Sequence, residues 1–145
     1  MDTAKALADV DAVKSILTWH DEIQGTQIAD PASLGDVVLD QKQTPASYHL
    51  AATLDDEADG ITHVVRGMDL FSSTHIHRLL QALLGLPTPQ YVHHRLLWDE
   101  EGRKLSKSKG SLALGEMRKA GADGPQLLAD LRASKLPVGI TLSHP

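Results

Sequence analysis

Residues 61–87 read ITHVVRGMDLFSSTHIHRLLQALLGLP, and this stretch decides the fold class. Ile61 to Arg66 is a run rich in β-branched residues that Gly67 stops, which predicts a strand. Ser72, Ser73 and Thr74 follow, hydroxyl residues suited to opening a helix. Ile76, Leu79, Leu80, Leu83 and Leu84 then recur at helical spacing as far as Gly85 and Pro87, a stop signal.

Working outward, the acidic group Asp55 to Gly60 reads as a turn or a single helical turn. Before it, Tyr48, Leu50, Ala52 and Leu54 alternate at period two, which predicts a strand over 48–54. A further strand is expected at Asp36 to Asp40, closed by the polar stretch Gln41 to Pro45. Ile23 to Ser33 reads as turns joining short strands, and residues 1–17 have a helical tendency through Leu7, Val10, Val13, Ile16 and Leu17. Downstream, Leu96 to Trp98 and Arg103 to Leu105 flank Asp99 to Gly102 as a hairpin with a four-residue loop. Residues 111–133 read as two short helices broken near Gly121 to Pro125, and 135–145 as a tail with little reason to be ordered. Alternating strands and helices with a helical end predict the α/β class. Only three or four strands are countable, fewer than a doubly wound sheet usually has, so the chain looks like part of one.

With 145 residues, 41% hydrophobic and 23% charged, the chain has ordinary globular composition and the size of one domain. It contains no cysteine, which excludes a disulfide scaffold and any thiolate metal site within these residues. Its aromatic residues are Trp19, Tyr48, Phe71, Tyr91 and Trp98, too few for a platform that stacks single-stranded bases. No run approaches a membrane span, and Asp2, Asp9 and Asp11 are the wrong charge for a targeting signal, so a cytoplasmic protein without membrane contact is expected. The net charge of −5 hides a gradient. Residues 1–101 carry 6 basic against 16 acidic side chains, and 102–145 carry 8 against 3, which puts any phosphate-directed surface in the last third.

The segment Lys104-Leu105-Ser106-Lys107-Ser108-Lys109-Gly110 concentrates ammonium and hydroxyl groups that can wrap a polyphosphate. Its plain alternative is a solvated basic turn. The eight histidines include His75 with His77 and the pair His93-His94, but no His-Glu-x-x-His pattern, so zinc is not expected and surface or hydrogen-bonded structural histidines are. Asp55, Asp56, Glu57 and Asp59 lack calcium-loop spacing and read as a solvated turn.

Lys104 to Ser108 is a close variant of the Lys-Met-Ser-Lys-Ser signature loop of class I aminoacyl-tRNA synthetases, with Leu105 in place of methionine. Tyr48 to Ala51, Asp55-Asp56, Gly60 to Leu70, the helix ending at Leu86, and Pro87 to His94 resemble, in order and spacing, the glutamate-specific branch of that class, and within it the shortened glutamyl-Q type. The resemblance implies the second half of a class I catalytic domain, a Rossmann-like nucleotide-binding fold. It also implies ATP-dependent activation of glutamate, with magnesium accompanying ATP, and transfer to tRNA, to the queuosine of tRNA(Asp) in the glutamyl-Q type. Tyr48 matches the tyrosine that contacts the amino acid and Arg66 the arginine that recognises its carboxylate. Lys107 matches the signature-loop lysine on ATP, and Lys104 takes a lesser phosphate role. Without the resemblance, Tyr48 reads as a half-buried strand aromatic and Arg66 as a strand-end arginine paired with Asp69 or another acid. No catalytic side chain is expected, since positioning and charge stabilisation suffice.

The His-x-Gly-His signature of the first half of such domains does not occur in these residues. The expectation is therefore a chain that supplies only the second half of an active site, inactive alone and completed by a separate chain. The alternative is a non-catalytic remnant that binds tRNA or a partner. The expected divisions are residues 1–35 as a remnant of the inserted acceptor-end region, 36–110 as the half-domain with the signature loop, 111–134 as a helical end and 135–145 as a disordered tail.

Overall fold

The computed structural model describes residues 1–11, 16–40, 42, 46–106 and 113–143. The chain divides into two compact units, Met1–His94 and Arg95–Pro145. The first runs α1 (Thr3–Asp11), β1 (Thr18–Asp21), β2 (Gly25–Ile28), α2 (Tyr48–Ala58), β3 (His63–Gly67), α3 (Ser73–Leu84) and β4 (Gln90–His94). The second holds β5 (Leu97–Trp98), α4 (Leu114–Lys119), α5 (Gly124–Arg132) and β6 (Thr141–Leu142).

In the first unit the sheet order is β2-β1-β4-β3. β1 and β2 form an antiparallel hairpin, while β4 lies parallel to both β1 and β3. The strand and helix expected from residues 61–87 are therefore the first two parts of a β3-α3-β4 crossover. Gly85 ends α3 in the left-handed conformation at φ +68, as its sequence position suggests. Ile76, Leu79 and Leu80 of α3 are buried. Leu79 joins Ala6 and Val10 of α1 and Leu17 in the apolar core. Leu83 and Leu84, expected on the same face, are exposed instead.

Residues 48–54 are not a strand: α2 spans them and absorbs Asp55 to Ala58 as its final turns. Ser47 caps its first turn by accepting from the Leu50 amide at 3.4 Å, and Thr53 Oγ1 bonds back to His49 O at 2.8 Å. Thr53 is buried and His49 and Asp56, at helical spacing from it, are half-buried, whereas Tyr48 and Leu54 of the supposed strand face are exposed. Residues 36–40 also join no ladder. Asp36 Oδ1 instead accepts from the Thr3 amide and Gly35 O from Thr3 Oγ1, so the segment caps the start of α1.

In the second unit the turn at Asp99–Gly102 forms as expected, with Asp99 N–H bonded to Arg103 O and one antiparallel bridge between Trp98 and Lys104. The strand partner of β5 is β6, at Leu97–Leu142 and Trp98–Thr141, inside the stretch expected to be a tail without order. The two short helices expected over 111–133 are α4 and α5.

Candidate functional site

Three parallel strands end side by side, and their carboxyl ends carry polar side chains. Arg66 and His93 sit at matching positions of β3 and β4, so the pleat puts them on one face. Asp21 closes β1 next to β4. Asp21 and His93 have no exposed surface, and His93 Nδ1 lies 2.6 Å from Asp21 Oδ2. The same carboxylate accepts from the backbone amides of His93, Ile23 and Gln24 at 2.9–3.0 Å. Burial pushes the Asp21 carboxyl up, but these bonds outweigh it and hold the group below its ordinary range.

Arg66 donates from Nε to His93 Nε2 at 3.0 Å, from Nη1 to His77 Nδ1 at 3.2 Å, and from Nη2 to the buried Thr74 hydroxyl. Its guanidinium also lies over the Tyr91 ring at 5.3 Å. Thr74 and His77 are three apart on α3 and share its buried polar face. His77 in turn contacts His49 of α2 at 3.1 Å. Burial, then the Arg66 charge and the neighbouring imidazoles, depress His77 to about 3. Burial also lowers His93 against the upward pull of Asp21, and burial with Arg66 lowers His49. Beneath the cluster Trp19 packs edge-on to Phe71, His75, Tyr91 and His93, at ring separations of 4.9–5.7 Å.

Tyr48 opens α2, 51% exposed as a residue, with its ring 5.7 Å from that of His77. Tyr48 and Arg66, 18 positions apart in sequence, thus meet the same imidazole. Arg66 is not paired with an acid: among the described residues no carboxylate lies within ion-pair distance of it. Lys104 belongs to the second unit, bridged to Trp98. Lys107 lies outside the described residues.

Sequence reasoning gave Asp21 no role, Thr74 only that of opening a helix, and His77 and His93 only that of surface or hydrogen-bonded structural histidines. Two signals were present: the period-two pair Tyr91 and His93 on one strand, and the three-residue step from Thr74 to His77.

Residues 7–133 match the family of class I tRNA synthetases of the E and Q type, catalytic domain. A glutamyl-Q tRNA(Asp) synthetase of Rhodobacter capsulatus is 48% identical over 72% of this chain and 36% of its own length. One of Xanthomonas oryzae is 46% identical, over 71% and 35% respectively. Glutamate–tRNA ligase 2 of Dinoroseobacter shibae is 39% identical over 78% of this chain and 26% of its own. Among solved structures, a glutamate tRNA ligase of Elizabethkingia meningosepticum in complex with its amino acid aligns at TM-score 0.56 and 30% identity, covering 74% of this chain and 20% of that one. The chain spans about a third of the length of the glutamyl-Q relatives it matches.

Proposed function

The chain belongs to the catalytic-domain family of class I tRNA synthetases of the glutamate and glutamine type, and from that premise we propose that it supplies the amino-acid part of a site that activates glutamate. In this reading Arg66 receives a carboxylate of glutamate and Tyr48 lines the approach to it. The observation that carries it is a guanidinium at the carboxyl ends of parallel strands, where ligands of open α/β sheets bind, with no carboxylate at ion-pair distance from it among the described residues. An arginine fork can pair both oxygens of a carboxylate.

The reaction follows from the substrates. An α-carboxylate oxygen of glutamate attacks the α-phosphorus of ATP, the bond to the β-phosphate breaks, and pyrophosphate leaves. A tRNA hydroxyl, that of queuosine in tRNA(Asp) for the glutamyl-Q type, then takes the glutamyl group and AMP departs. Lys104 and Lys107 would neutralise charge growing on the pyrophosphate. Among the described residues no group of three or more His, Asp or Glu side chains could hold a metal ion, so magnesium would come bound to the nucleotide's phosphates.

A second reading, a module that joins another chain, is favoured by β3. It is one of the sheet's two outer strands among the described residues, and Val65 on it is 67% exposed. One experiment serves both: glutamate-dependent ATP–pyrophosphate exchange, by this chain alone and mixed with the amino-terminal segment of a relative. We expect exchange only in the mixture, and its loss with R66A or K107A. Full exchange by R66A would overturn the role of Arg66. Absence of exchange in every mixture, with a stable complex formed, would favour the binding module.

A further inference from the structure

The donors and acceptors around Arg66 fix the protons of the two imidazoles that touch it. A guanidinium only donates and an ionised carboxylate only accepts. His93 must therefore carry its proton on Nδ1, toward Asp21 Oδ2, and present a bare Nε2 to the Nε–H of Arg66. His77 accepts from Arg66 at Nδ1, so its proton sits on Nε2 and is donated to His49 Nδ1. Two donor arms therefore run outward from Arg66, one through His93 to Asp21 and one through His77 to His49. Both imidazoles that touch Arg66 are neutral, in agreement with the depressed basicity that burial imposes on each.

Three of the five N–H bonds of Arg66 are used in this way, one on each nitrogen, and all three go to uncharged atoms. Two remain without a partner among the described residues, one on each terminal nitrogen. One N–H on each terminal nitrogen is the number a fork-like grip on both oxygens of a carboxylate requires. Of the nearby acids, Asp21 reaches Arg66 only through His93 and spends its oxygens on four other donors, while Asp56 feels the guanidinium charge, which draws its carboxyl down against a larger upward push from burial, but takes no hydrogen bond from it. An aspartate in place of either histidine would cancel the guanidinium charge before any ligand arrived.

We propose that His93 and His77 are positioning residues that hold Arg66 through neutral hydrogen-bond acceptors, so that no carboxylate occupies its donors and two N–H bonds are left to an anionic substrate group, and the site prefers glutamate to glutamine. The proposal rests on Arg66 being the carboxylate receptor. It concerns the side-chain carboxylate, because glutamate and glutamine share the α-carboxylate, and that group needs a free lone pair to attack ATP.

The test uses the 145-residue chain labelled with nitrogen-15. Long-range nitrogen–proton spectra of the imidazoles should show His93 protonated on Nδ1 and His77 on Nε2, both neutral at pH 6. The opposite tautomer on either, or an imidazolium, would overturn the proposal without any variant having to fold. Glutamate and glutamine are then titrated against the wild type, H77Q and H77E. A glutamine side chain reproduces both the acceptor and the donor of His77, so H77Q should keep the affinity ratio of glutamate to glutamine within about threefold of wild type. H77E should lower the ratio by about tenfold or more, the equivalent of one lost charge-assisted contact. An unchanged ratio in folded H77E overturns the proposal. No response of the wild type to glutamate, with both tautomers as assigned, would instead overturn Arg66 as receptor, and the preference with it, while leaving the hydrogen-bond chain intact.

Discussion

His77 faces Arg66 on one side and His49 on the other, with His93 and Tyr48 close by, so a proton on it meets positive charge and burial together. Its folded pKa of about 3 lies below the unfolded value of 6.5. A base so depressed contributes stability in full above pH 6.5 and loses it as the pH falls toward 3, because the unfolded chain takes up the proton first. The loss across that window is on the order of a few kcal/mol. Denaturant midpoints measured from pH 7 down to pH 4 should therefore fall, and the fall should be shallower in H77Q. Resemblance to a family named Tyr48 and Arg66 from sequence. It could not name Asp21, His93 or Thr74, because what distinguishes them is burial and mutual distance, neither of which a residue type states.

At the scale of elements, α2 shows why a short alternating run deceives. Tyr48, Leu50, Ala52 and Leu54 fit period two, but the adjoining Asp55 to Ala58 can extend a helix as well as end a strand. Ser47 decides locally by capping the first turn. Replacing it in S47A should cost about 1 kcal/mol, with loss of helix rather than of sheet signal in circular dichroism. G85A should cost about 1 kcal/mol as well, since an alanine at φ +68 is strained however open the space around it. Either substitution proving neutral in urea melts would contradict the cap it tests. The pairing of β5 with β6 was hidden for another reason. Two residues of ladder leave no periodicity to read, and the partner lies more than 40 positions away.

At the scale of the whole molecule, every member of the Arg66 network lies in the unit Met1–His94, and the lysines Lys104 and Lys107 lie in the other. A fragment of residues 1–94 should therefore keep the His93 and His77 tautomers and its response to glutamate. Loss of both in a fragment that still gives a dispersed spectrum would mean that the second unit is needed to hold the cluster. The sequence alone determined the β3-α3 succession, the stops at Gly67 and Gly85, the α/β class, the helical pair near the end and, through the order of its motifs, the family. These are local or linear properties, written in propensity, spacing and order along the chain. Only the tertiary structure decided that residues 48–58 are helical, that 141–142 pair with 97–98, and that Asp21, His93, Arg66 and His77 form one chain of hydrogen bonds. Those outcomes depend on which segments are buried against which, and on strands that bring residues 72 positions apart within 2.6 Å.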